Sequence, residues 1–124
     1  MTEFLLHVIF ALGGGLGAVL RYVLTSRLTH RYPLSTLLVN VLGCLVLGWS
    51  MAVLWEAPGL FGDQERRLFA GFCGGFTTFS TFAYQSFDLH RSHSLAHAGL
   101  NIGANLVLCV GAFVLGRALG GLPG

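Results

Sequence analysis

Residues Leu34 to Trp55 read LSTLLVNVLGCLVLGWSMAVLW, without one charged side chain. A helix rises about 1.5 Å per residue, so a run of roughly 20 apolar residues crosses the ~30 Å hydrocarbon core of a bilayer. Three more stretches of this length flank it. The first, about residues 4–24, is interrupted only by His7 and Arg21; the others, about 68–87 and 95–117, are free of charge up to Arg117. No period-two alternation runs through them, which excludes a transmembrane barrel. The expectation is an all-α membrane protein with one domain over residues 1–124 and four transmembrane helices per chain.

Composition agrees. Of 124 residues, 54% are hydrophobic and 10% charged, against about 25% charged in a soluble domain. Such a chain cannot build a water-facing surface, which argues against a disordered chain, a nucleic-acid binder or a typical cytosolic enzyme. The net charge of +2 is too small to imply a polyanionic partner. The N-terminus lacks a basic segment before its apolar run, so no removable signal peptide is read there. The connections are short: Ser26 to Pro33, Glu56 to Arg67 with Pro58, Gly59 and Gly62 as punctuation, and Asp88 to Ser94. The tail Gly120 to Gly124 reads as frayed.

The basic residues are all arginine. Arg27, Arg31 and Arg91 fall on one side of a four-span arrangement and Arg66, Arg67 and Arg117 on the other, with Arg21 inside the first span. Positive charge normally orients a membrane protein; three against three gives no orientation. Insertion both ways round follows, and with it an antiparallel dual-topology homodimer.

In lipid every polar group must find a partner, so polar residues inside the spans carry the information. Gly13 and Gly17 make a GxxxG pair that lets helices approach closely. Arg21 reads either as a side chain reaching the headgroups or as a fixed positive charge at the mouth of an anion path. Thr36 and Asn40 share a helix face; Asn40 either bonds helices together or donates to a permeating anion. On the fourth span Asn101 and Asn105 repeat that spacing, as helix glue or as a polar track. In the third, GFCGGFTTFSTF from Gly71 to Phe82 joins paired glycines to β-branched threonines, poor helix formers. A break is expected there, mid-membrane, its freed carbonyls satisfied by neighbouring side chains or by a cation such as Na⁺. Phe79 and Phe82 share a face; packing is the ordinary role of such a pair, but ring edges carry positive potential, and Ser80 and Thr81 between them add hydroxyls.

Cys44, Cys73 and Cys109 sit in apolar runs and read as small packing residues. His90, His93 and His97 lack the tight ligand spacing of a metal site, and His7 and His30 read as interfacial. Nothing in the chain supports covalent catalysis, so an enzyme is not expected. A proton-coupled drug antiporter needs a membrane-embedded carboxylate, and Glu3, Glu56, Asp63, Glu65 and Asp88 all fall outside the spans. An accessory membrane protein would explain the glycines and phenylalanines as packing, but not Asn40, the helix-breaking run and the hydroxyls together.

Three stretches carry a resemblance: Gly13-Gly14-Gly15-x-Gly17-Ala18-x-x-Arg21-Tyr22, Thr36-Leu37-x-Val39-Asn40-x-x-Gly43, and Gly71-x-x-Gly74-Gly75-x-Thr77-Thr78-Phe79-Ser80-Thr81-Phe82. With the four spans, the chain resembles the Fluc/CrcB family of fluoride ion channels over essentially its whole length. The resemblance implies a passive fluoride-selective channel of the plasma membrane, an antiparallel dimer with two pores and a central structural Na⁺. It implies that Phe79 and Phe82 line the pore by ring edges and that Asn40 donates to fluoride. Thr36, Ser80 and Thr81 would add hydroxyls, Arg21 would lie in the vestibule, Asn101 and Asn105 would continue a polar track, and the Gly74 and Thr77 carbonyls would hold Na⁺. Its partners are then fluoride, a second copy and lipid, with no nucleic acid. Two departures stand out: Ser35 where the family often has Gly, and Gln85 where many members carry Glu.

Overall fold

Helix α1 starts where Thr2, in extended conformation, turns its Oγ1 back to accept the Leu5 amide at 3.4 Å, with Glu3 in the first turn complementing the helix dipole. It runs Glu3–Arg27. Helix α2 spans Leu34–Ser50 and passes without interruption into a π-helical segment, Met51–Glu56. Helix α3 (Asp63–Phe76) opens with the Gly62 amide donating to Glu65 Oε2 at 2.9 Å. Helix α4 (Phe79–Ser92) follows after two extended residues, and α5 (Leu95–Gly120) starts at Ser94, whose Oγ accepts the His97 amide. The computed structural model describes residues 2–28, 33–57, 59 and 61–121; His30, Arg31, Pro58 and the last three residues of the tail lie outside them. No strand occurs among the described residues.

Several boundaries differ from the sequence reading. Arg27 and the last residues of the Glu56–Arg67 connection are expected outside helices from the sequence, as is Asp88 to Ser94. In the structure Arg27 closes α1, Asp63 to Arg67 form the first turn of α3, α4 persists to Ser92, and α5 reaches Gly120. A helix continues past the apolar run as long as its end groups are met. Asp63 and Glu65 at the start of α3 and His90 and Arg91 at the end of α4 do so through the dipole.

Among the described residues, three helices are long and apolar enough to cross a membrane: Glu3–Arg27, Leu34–Glu56 and Leu95–Gly120. Helices α3 and α4, with 14 residues each, are individually too short.

Helix packing is organised in two glycine-lined pairs. Helices α1 and α3 run parallel: a Cβ on Gly13 or Gly17 would strike the carbonyls of Leu68 or Phe72, and one on Gly71 or Gly75 those of Phe10 or Gly14. Each helix thus sets a small-residue stripe against the other's backbone, the closest approach two helices can make. Helices α2 and α5 are likewise parallel, with Gly48 against the Phe113 carbonyl and Gly116 against that of Leu45. Val39, Leu54, Thr36 and Ser50 are the most deeply enclosed side chains. Ion pairs gather at the end where α1 and α3 begin and α5 finishes: Arg67 to Glu3 (3.9 Å), Arg66 to Asp63 (3.3 Å) and Arg117 to Glu56 (2.8 Å). Arg66 Nε also donates to the Leu54 carbonyl of the π segment at 2.7 Å. Outward, α5 presents Leu100, Val107, Val110 and Val114, each at least 60% exposed; water would not tolerate that face and lipid would.

Candidate ion pathway

The chain leaves helical geometry at Thr77 (φ −88°, ψ 158°) and Thr78 (φ −148°, ψ 117°). Gly74 and Gly75 weaken the last turn of α3, and two β-branched residues then favour extended backbone. Thr77 stays tied to that turn through its amide (3.1 Å) and hydroxyl (2.9 Å), both donating to the Cys73 carbonyl. Thr78 does not. Its amide, which in a continuing helix would bond the Gly74 carbonyl, donates instead to Asn40 Oδ1 at 2.8 Å, while Asn40 Nδ2 donates to the Thr78 carbonyl at 3.2 Å. One buried amide side chain therefore holds one backbone residue at two points. Gly43 makes the approach possible, since a Cβ there would collide with the Thr77 methyl. Thr78 Oγ1 then caps α4 by accepting the Thr81 amide at 3.2 Å.

The two helix ends created here have opposite polarity. The C-terminus of α3 presents carbonyls and partial negative charge; the N-terminus of α4 presents amides and partial positive charge. Arg21 Nε donates to the Gly75 carbonyl at 3.1 Å. The arginine of the first span is thus occupied by a helix end, an assignment neither sequence reading contained.

A hydrogen-bonded chain runs on from Asn40. Its Nδ2 donates to Asn105 Oδ1 (3.3 Å); Asn105 Nδ2 donates to Asn101 Oδ1 (3.3 Å) and to the Asn101 carbonyl (2.9 Å). Asn101 Nδ2 donates to Ser86 Oγ (2.9 Å), which donates to the Phe82 carbonyl (2.8 Å). Helices α2, α5 and α4 are thereby joined through side chains. Ser86 and Thr78 were not singled out in the sequence. The signal for Ser86 was its place one turn after Phe82; for Thr78, its place as the last residue before helix resumes.

Asn40, Gly74, Thr77, Thr78, Phe79, Phe82 and Asn105 line one cavity of about 400 Å³. The Phe79 and Phe82 rings lie 5.3 Å apart and tilted by 60°; Phe82 is buried, whereas Phe79 is 76% exposed. Arg21, Thr36 and Thr81 line a second, more polar cavity of about 300 Å³ together with Gln85, whose Oε1 is buried without a hydrogen-bond partner. Thr78 lines both cavities. Ser80 is exposed, its Oγ 3.3 Å from Thr78 Oγ1. Asn101 reaches the first cavity only through Asn105.

A family model described as "CrcB-like protein, Camphor Resistance (CrcB)" matches residues 8–117. The chain belongs to the CrcB family. Its CrcB relatives include proteins of Pyrococcus furiosus (43% identical, 87% of this chain and 89% of the relative), Methanococcus maripaludis (41%, covering 94% of both) and Thermococcus gammatolerans (38%, 88% and 90%). Each bears the name fluoride-specific ion channel FluC. A CrcB chain with three membrane-crossing helices is a multi-pass membrane protein. The Thr78 and Thr81 amides, which would bond the Gly74 and Thr77 carbonyls in a continuous helix, donate to Asn40 Oδ1 and Thr78 Oγ1 instead, which leaves both carbonyls outside the α-helical ladder as hard oxygen donors.

Proposed function

We propose that the protein is a passive, fluoride-selective channel that lets fluoride leave the cytoplasm across the plasma membrane. The observation that carries this reading is the convergence of the Asn40 amide, the Phe79 and Phe82 rings and the N-terminus of α4 on one cavity. The names of the relatives point the same way.

Fluoride is small and tightly hydrated. Its water must be replaced at every step by short-range donors that do not hold it too well. Asn40 Nδ2 suits this: its two bonds, at 3.2 and 3.3 Å, sit at the long end of hydrogen-bond geometry and exchange readily for an anion. Ring edges of Phe79 and Phe82 supply weak positive potential and exclude water. The Thr36, Thr78, Ser80 and Thr81 hydroxyls lie beside the path, and Asn101 and Asn105 hold Asn40 in orientation. Arg21 draws anions toward the polar cavity while its guanidinium is partly neutralised by the Gly75 carbonyl, which prevents trapping. No fuel is required: a membrane negative inside drives an anion out by about 2.3 kcal/mol per 100 mV.

In this reading α3 and α4 together make the third of four crossings, interrupted at Thr77-Thr78. Two chains inserted in opposite directions form the channel, with two pores. The exposure of Phe79 and Gly74 on one side of the cavity supports a second copy there. Gly74 and Thr77 would hold Na⁺ through their carbonyls, and the ion would supply positive charge against the carbonyl end of α3.

The test is efflux from liposomes loaded with KF and carrying the purified protein, triggered by valinomycin and followed with a fluoride electrode. Fast fluoride release, with no chloride release from KCl-loaded vesicles, is expected. Intact protein that releases neither ion would reject the channel.

A further inference from the structure

Cys44 on α2, Cys73 on α3 and Cys109 on α5 line the same cavity of about 400 Å³, and the functional reading gives their thiols no task. Helices α2 and α5 run in a fixed register there. Asn40 bonds Asn105, 65 residues on, and Gly48 lies against Phe113 at the same separation. Cys44 and Cys109 share that separation and fall one turn from each of these contacts. Both thiols lie on the cavity wall between these two contacts. Both are half-buried, whereas Cys73 is buried. The close approach of the two backbones at Gly48 and Gly116 keeps the pair from separating.

We propose that Cys44 and Cys109 form a two-thiol site for a soft divalent metal ion of the Hg²⁺ type in the wall of this cavity. Thiolates select soft ions. Among the described residues no three His, Cys, Asp or Glu side chains are grouped to hold a metal, so an ion that requires four ligands, such as zinc, is not served. Mercury(II) takes two opposed ligands. On binding, two S–H bonds break, two Hg–S bonds form, and two protons leave to water, with no change of oxidation state. The product carries no net charge, which the apolar surroundings accept. A monovalent ion on two thiolates would leave a buried negative charge, which they penalise. The site stands independently of the channel reading; only its consequence, obstruction of fluoride flow one turn from Asn40, rests on it.

The test uses the reduced, full-length protein in detergent, dialysed with HgCl₂ against a monothiol competitor, with mercury counted per chain by elemental mass spectrometry. Wild type is expected to retain one ion per chain. Cys44→Ala and Cys109→Ala are each expected to lose retention on the order of 100-fold, because a single thiol forgoes the effective concentration of its neighbour. Cys73→Ala is expected to behave as wild type. Serine variants replace alanine ones wherever the latter fail to elute as wild type. Retention by both single variants, equal loss in Cys73→Ala, or two ions per wild-type chain would each overturn the site. Mercury block of fluoride efflux in wild type but not in Cys44→Ala would place the site in the conducting path. Absence of efflux from every protein would count against the channel and leave the ion count standing.

Discussion

Replacing Asn40 by alanine removes the side chain that holds Thr78 at both its backbone groups. The Thr78 amide loses a 2.8 Å bond and its carbonyl a 3.2 Å bond, and Asn105 Oδ1 loses its donor. Thr78 is 9% exposed, so the freed groups are buried. A buried backbone group left unpaired costs about 1–3 kcal/mol, giving about 2–6 kcal/mol for two. The adjoining cavity of about 400 Å³ is roomy enough to admit a bridging water. This favours the lower half of that range, about 2–4 kcal/mol. Asn105→Ala is the comparison: it forfeits one side-chain bond between helices, a kind that averages about 0.6 kcal/mol in a membrane, and two bonds to Asn101 within α5, and it frees no backbone amide. Unfolding in mixed micelles by titration with sodium dodecyl sulfate, followed by circular dichroism, measures both. The expected order is a loss at Asn40 several times that at Asn105. Equal losses, or an Asn40→Ala protein within about 0.5 kcal/mol of wild type, would refute the claim that this side chain stabilises the gap between α3 and α4.

Three other outcomes are expected. Phe82→Ile should abolish fluoride efflux in the liposome assay while size-exclusion profiles stay unchanged, because a branched aliphatic group stays apolar in the buried position and loses the ring edge. Gly17→Ala should destabilise by roughly 1–3 kcal/mol in the same denaturant titration, since its Cβ meets the Phe72 carbonyl and the Phe76 amide; Gly15→Ala, where a Cβ meets nothing within 4 Å, should be neutral or slightly stabilising. Arg117→Ala should cost only about 0.2–1 kcal/mol, and less at high salt, because both it and Glu56 are about half exposed; unfolding midpoints at low and high ionic strength check this.

The apolar runs were legible because hydrocarbon thickness sets their length, and Leu34 to Trp55 coincides with a helix that ends at Glu56. Local chemistry also carried Gly74-Gly75 and Thr77-Thr78, since glycine and β-branched residues act on their own backbone. Partnerships across the sequence were not legible. Nothing near Thr78 announces that its amide pairs with a side chain 38 residues earlier, nor anything near Arg21 that it meets a carbonyl 54 residues later. The π-helical turn from Met51 also escaped, because composition does not distinguish it from the α-helix it extends. Ser86 was overlooked because a serine bonded back to its own helix looks like any other serine.

The pairing of α1 with α3 and of α2 with α5 has a consequence for biogenesis. Sequential neighbours α1 and α2 share far less contact than either shares with its later partner. During synthesis the first hairpin enters the membrane with both glycine-lined faces unmatched. Helix α1 is closed when α3 follows, but α2 waits for the last helix, about 40 residues later, or roughly 2–8 s at ordinary translation rates. Throughout that interval Asn40 sits in the membrane without Asn105. A chain truncated before Leu95 should therefore be a substrate for membrane quality control even though its first three apolar stretches are complete.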